Sequence, residues 1–185
     1  MPTIVSQSIE GVNLAALYTA YDQTAAISTT NDPSNPGPPF KVGTEVTATD
    51  GSLWVFTKFT AGVNQYDVVM IDNSTGFAKQ ILGGGASEAN RFRVGFYQNS
   101  TAAVANNFGW VMLSGVPTIN VLGSCAKLVQ LYTTDTSGKL DDAIATGSQY
   151  PVRNVVLTTT ISSTTASSNT AQAAWPSIGP LGALL

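Results

Sequence analysis

From Val42 onward the chain alternates apolar and polar residues with a period of two, and short runs of Gly, Asn, Asp and Ser punctuate the alternation. Successive side chains of a strand point to opposite faces, so this period specifies strands rather than helices. The signal is sharpest at its start. Residues 44–49 and 52–59 flank Asp50-Gly51, a pair that tolerates the positive φ of a type I′ hairpin turn.

The pattern then repeats down the chain. Residues 65–72 make a third strand, residues 73–76 a turn and residues 77–81 a strand that Gly83-Gly84-Gly85 breaks. Alternation resumes at 91–98, 108–113, 116–121, 127–132 and 152–160. Pro117 puts its run at an edge or a strand start, because proline has no N–H for a ladder. Short strands spaced by turns predict an all-β fold, a small β-barrel or β-sandwich, occupying residues 44–160.

The ends read differently. Ile9, Val12, Leu14, Leu17, Tyr18 and Tyr21 are compatible with one amphipathic helix of about three turns. Pro33, Pro36, Pro38 and Pro39 fall within seven residues, a density that permits only loop or polyproline-like spacer. Residues 1–43 are therefore expected to form an extended N-terminal arm, poorly ordered alone and ordered against a neighbouring subunit. Residues 161–185 are expected to be a loop, residues 162–169, and a tail, with 173–176 as a short edge strand. Ile178, Leu181, Leu184 and Leu185 make that tail apolar, and no charged side chain follows Arg153. Such a tail is expected to dock on its own core or on another copy.

Chemistry is constrained by absences. There is no histidine among the 185 residues, which removes the Ser-His-Asp triad, the Cys-His pair and histidine metal sites. Cys125 is the one cysteine, so no intramolecular disulfide is possible; its apolar surroundings predict a buried core residue. Asp135, Asp141 and Asp142 offer oxygen donors around a glycine turn, but their spacing is not a calcium loop, and turn formation accounts for them. Asp67 and Asp72 lie five positions apart on one strand and so face opposite sides. Gly83–Gly85 lacks the lysine of a phosphate cradle and reads as a hinge. Trp54, Phe56, Trp110 and Trp175 suit a sugar platform or a core, and the core is the simpler reading. No catalytic, cofactor or metal residue is assigned, and an enzyme is not expected.

Only 10% of residues are charged and the net charge is −3, so counterion release gives no grip on nucleic acid. No stretch of 18 apolar residues exists to cross a membrane as a helix. The N-terminus lacks a signal peptide's basic start and apolar run, which predicts synthesis and assembly in a cytoplasm.

Several runs, taken in order, resemble a known family. They are Val42-Gly43-Thr44-Glu45-Val46, residues 50–56, residues 65–72, Val94-Gly95-Phe96 and residues 108–115; residues 131–134, 138–142, 155–159 and Trp175-Pro176 complete the series. Together, over residues 42–176, they are similar to the capsid decoration, or cement, proteins of tailed bacteriophages. The resemblance implies a non-enzymatic clamp on the outside of the virion. It implies the major capsid protein as partner, bridging between its subunits, and a homotrimer in preference to a dimer. Candidate contact residues are Ile9, Val12, Leu14, Leu17 and Tyr21 in the arm, with Ile178, Leu181, Leu184 and Leu185 in the tail. Alternatives are another virion subunit, such as tail tube or head fibre, and a carbohydrate-binding adhesion module using Trp54 or Trp110.

Overall fold

The computed structural model describes residues 12–18, 38, 40–83, 92–144 and 149–178, with side chains up to Ala173. Twelve strands and no helix are found among them. They are β1 (Leu17–Tyr18), β2 (Glu45–Thr47), β3 (Leu53–Phe59), β4 (Val68–Asp72), β5 (Phe77–Gln80) and β6 (Phe92–Phe96). There follow β7 (Phe108–Ser114), β8 (Thr118–Val121), β9 (Leu131–Thr133), β10 (Leu140–Asp141), β11 (Pro151–Leu157) and β12 (Ser167–Ile178).

The strands close into two five-stranded barrels. The first ring runs β3-β5-β4-β6-β7 and back to β3; the second runs β8-β10-β9-β11-β12 and back to β8. The two rings have the same order and the same directions. Each has one parallel pair, β3 with β5 and β8 with β10, and every other pair is antiparallel.

The register repeats as well. Adding 62 to each number carries Phe59↔Ala78 onto Val121↔Leu140, and Met70↔Lys79 and Ile71↔Ala78 onto Tyr132↔Asp141 and Thr133↔Leu140. The Thr60 N–H bonds the Ala78 carbonyl as the Leu122 N–H bonds the Leu140 carbonyl, both at 2.9 Å. Tyr66 and Leu128 share a left-handed backbone (φ 66° and 58°), as do Gly76 and Gly138 (φ 71° and 76°). Between residues 53–81 and 115–143, the single identical residue at that spacing is this glycine. The same barrel is thus built twice from different side chains. What the two halves share is burial: Phe59 and Val121, Val69 and Leu131, Ala78 and Leu140, Val63 and Cys125 are all inside.

The Asp50-Gly51 hairpin forms between β2 and β3. Its turn is closed by the Gly51 N–H on the Ala48 carbonyl, and only Gly51 has positive φ. This is a type I turn with a glycine bulge rather than type I′, which needs two positive φ values. The Trp54 indole N–H bonds Ser52 Oγ, and the Ser52 hydroxyl bonds Asp50 Oδ1 at 2.6 Å, holding the Asp50 carboxyl below the usual carboxylate range.

Three expectations are corrected. The helix near residues 9–20 is absent over 12–18. Asn13 closes a turn there, and Leu17–Tyr18 pair with Gly109 and Phe108 of β7, whose edge offers more backbone bonds than a solvated helix end. Residues 167–176 are neither loop nor edge strand. β12 is flanked on both sides, by β11 along 171–178 and by β8 along 167–170, and Ser177 pairs with Arg93 of β6. Its polar sequence hides it from a periodicity reading. Residues 127–130 are loop, and strand begins only at Leu131.

Asp67 ties the barrels together. It is 3% exposed. Its Oδ2 accepts the Asn64 N–H (2.7 Å) and Gln80 Nε2 (2.5 Å), and its Oδ1 accepts Nδ2 of Asn120 in β8 (3.0 Å). The β9–β10 turn inserts beside it: the Val68 N–H bonds the Gly138 carbonyl, the Gly138 N–H bonds the Ile81 carbonyl, and the Gly83 N–H bonds the Thr134 carbonyl. A Cβ on Gly138 would lie 2.6 Å from the Asp67 carboxyl carbon.

All three partners of the Asp67 carboxylate are donors, so asparagine cannot replace it. Asp67→Asn turns an N–H₂ toward another N–H, and a stability loss of about 1–3 kcal/mol is expected. Gly138→Ala adds a collision to the cost of its left-handed φ and should destabilise more than Gly51→Ala, where the space is open. Denaturant titration of the three variants measures both effects.

Candidate functional site

The residues with chemical potential are distributed through this tandem rather than gathered in one cleft. Trp54 and Trp110 are 8% and 1% exposed. Trp110, Phe56 and Phe40 pack edge to face at 5.1–5.5 Å, and Tyr18 meets Phe56 at 5.9 Å. These rings sit on the outer face of the first barrel, since Val55, Phe59, Val69 and Ile71 fill its interior. Neither tryptophan offers a ring face for sugar stacking. The Trp175 side chain lies outside the described residues.

Three of the N-terminal candidates pack on the body of the protein. Val12 and Leu14 pack on the same cluster as Phe56, Leu17 packs on the barrel-interior cluster, and Asn99 Nδ2 bonds the Ala15 carbonyl at 2.5 Å. Residues 12–18 therefore lie on their own barrel, contrary to the expectation of an arm that leaves it. Apolar surface of β3 and β7 lies within reach of the same chain, and burying it there needs no partner. Ile9, Tyr21, Leu181, Leu184 and Leu185 lie outside the described residues. Ile178 ends β12, its backbone opposite Val152.

The carboxylates do structural work. Asp135 is separated from Asp141 and Asp142 and approaches Gly83 instead. Asp142 Oδ2 accepts the Ala126 N–H at 2.7 Å. That N–H corresponds to the Asn64 N–H, which Asp67 accepts in the first barrel. The same backbone donor is capped by carboxylates from two different positions. Asp141 and Asp142 gather with Cys125 within 4.8 Å. Burial, with the Asp142 charge nearby, pushes the Cys125 thiol up to about 12, and burial also raises Asp141. At neutral pH so raised a thiol is a weak nucleophile.

One open groove of about 450 Å³ lies where the barrels meet, lined by Gly115, Val116, Asn154, Val156, Gln172 and Ala173. Gly115 and Ala173 exchange backbone bonds at 3.0 Å across its floor. Asn154 makes its rim by a bulge with φ 61°. The lining carries backbone, aliphatic and amide groups and nothing that titrates.

Sequence reasoning missed Phe40, Gln98 and Asn120. Gln98 Nε2 bonds the Thr118 carbonyl and its Oε1 accepts the Thr118 N–H. The corresponding residue in the first barrel, Phe56, has the same two groups bonded by the Gly43 N–H and the Thr44 carbonyl. One side-chain amide thus replaces a strand edge, and no local pattern announces it. No protein-family model matches the chain, and no curated protein matches it in sequence.

The raised thiol has a consequence in alkali. The unfolded thiol loses its proton near 9, the folded one near 12. Above pH 9 the native state holds the extra proton, so stability is full below that pH and falls as pH rises toward 12. Tyr97, raised by burial to about 12 from 10, adds to the fall above pH 10. In Cys125→Ala the decline should begin about one pH unit later, read as melting temperature against pH.

Proposed function

We propose that this chain is a structural protein of a tailed-phage virion that decorates the outside of the capsid and bridges neighbouring major capsid subunits. The observation that carries this reading is the ordered series of cement-like runs from Val42 to Pro176. Those runs fall on β2, β3, β4, β6, β7, β9, β10, β11 and β12 and their turns, so the likeness concerns the scaffold of both barrels.

The physical setting agrees. Two barrels joined through Asp67 and the β9–β10 turn make a body with few charges, suited to contacts that salt does not weaken. The groove presents no titrating group, and Asp67 and Asp142 are occupied with backbone and amide donors. Repeating a weak contact over a shell supplies avidity without a strong single site. The protein acts as a homo-oligomer, a trimer at three-fold or quasi-three-fold positions, with no cofactor, nucleic acid or membrane partner, and it joins the virion in the host cytoplasm.

The test is a cryo-electron microscopy map of the particle that carries this protein, with heating of particles made without it. Density on the outer shell between capsomers is expected, and DNA release several degrees lower in the particles that lack it. Density in the tail or in a head fibre assigns it to another virion part. Particles that keep their DNA to the same temperature overturn the stabilising role.

A further inference from the structure

In the first barrel β2 lies along β3, with Val46 opposite Trp54. The Ala48 N–H bonds the Ser52 carbonyl, and the Phe56 N–H bonds the Thr44 carbonyl. Bonded pairs alternate along antiparallel strands, so Val46 and Trp54 exchange the bonds between these two. Shifted by 62, Trp54 falls on Val116 and Phe56 on Thr118. The Gln98 amide serves Thr118 in place of a strand. Among the described residues nothing bonds the Val116 N–H or carbonyl.

The gap breaks a regular series. Gly115 exchanges bonds with Ala173, and the Pro117 carbonyl accepts the Ala171 N–H, so both residues are turned to β12. Every second residue bonds away from β12: the N–H of Leu122 to Leu140, of Asn120 to Tyr66 and of Thr118 to Gln98. Val116 is the next member of that series and stands without its partner. Its side chain is 61% exposed, whereas Trp54 under β2 is 8% exposed. Val116 also lines the open groove of about 450 Å³, with Val156 and Gln172. An apolar wall and a strand edge that lacks its strand thus meet at one residue.

The chain that follows Ile178 has the matching chemistry and the reach. Gly179-Pro180-Leu181-Gly182-Ala183-Leu184-Leu185 carries three leucines and no charge. The groove has no titrating group in its lining, so a charged segment would lose its hydration there without a partner, and leucine loses none. Ile178 stands opposite Val152, and Val156 lies farther along β11 by about 13 Å at strand rise. Seven residues extend to about 23 Å. Gly179-Pro180 at the start of the segment is a dipeptide that favours a reversal.

We infer that residues 181–185 fold back into the groove of their own second barrel, set their leucines against Val116 and Val156, and accept the open Val116 N–H. The segment takes the place on the second barrel that β2 holds on the first. A strand edge covered by its own chain is closed to strands of other molecules. A second copy's segment has the same chemistry, but the chain's own is held beside the groove at high effective concentration. The inference comes from the repeated fold and stands apart from the capsid reading; it is tested on purified protein alone, so each can fail without the other.

The experiment measures amide hydrogen exchange in the full chain, in Leu184→Asp and in a chain shortened to end at Ile178. Beside it, the double variant Val116→Cys/Leu184→Cys is oxidised mildly over a range of concentrations, with a mixture of the two single variants as the control. Cys125 is buried and stays out of the exchange. The Val116 amide is expected to exchange at least tenfold faster in Leu184→Asp and in the shortened chain. Buried amides of β4 and β7 keep their protection in both, which shows that the fold is intact. The double variant is expected to form a disulfide within the monomer at a rate independent of concentration. Equal exchange at Val116 in all three chains overturns the proposal. So does a double variant that forms no disulfide, or forms it only between molecules, the latter assigning the groove to a neighbour's segment.

Discussion

Asp67 is a carboxylate with almost no water around it, and each hydrogen bond it accepts comes from a different part of the chain. Asn64 belongs to the loop before β4, Gln80 to β5 and Asn120 to the second barrel. A buried carboxylate without donors is costly to keep, so moving any of these three groups away carries a penalty. The carboxylate thereby sets both the shape of the first barrel's end and the distance at which the second barrel stands. Gly138 completes the arrangement by having no side chain where Asp67 needs room.

Around that joint the two barrels show how little side-chain identity a strand order requires. Several positions 62 apart share backbone conformation, pairing and interior burial while the residues differ almost throughout. Apolar groups at the same places on the pleat fill each interior, and left-handed positions before β4 and β9 turn the chain the same way. The halves diverge at their free surfaces. Lys41–Thr47 cover the edge of β3, whereas the side-chain amide of Gln98 covers the corresponding edge of β8. The first barrel buries an outer aromatic layer under Phe40 and Tyr18; the second leaves Leu128, Val129 and Ile144 to solvent.

Among the described residues, most of the groups that invited a chemical reading in the sequence are engaged in holding the fold. Of the carboxylates that stood out in the sequence, Asp67, Asp72 and Asp142 accept turn and backbone donors. The cysteine is buried and protonated, and the groove between the barrels has an untitratable lining. The proposed capsid role asks for contact surfaces rather than for a reactive group.

Much of the strand content was legible because it depends on neighbours in sequence. Alternation marks which face of β3, β4 or β7 is buried, and Asp50-Gly51, Asn73–Gly76 and Thr136–Lys139 mark turns by their backbone preferences. Burial of Cys125, Trp54 and Trp110 followed from residue type and context. β12 was not legible, since a strand paired along both edges can be built from Ser, Asn, Thr and Gln once its backbone bonds are supplied from β8 and β11. Neither was β1, two residues whose conformation is imposed by the edge of β7 in place of the helix their spacing suggested. Which strands close each ring, the repetition of one barrel in the other and the joining role of Asp67 were decided only by tertiary structure. Each of these depends on partners tens of residues away, and local periodicity records which way a side chain points but not what it meets.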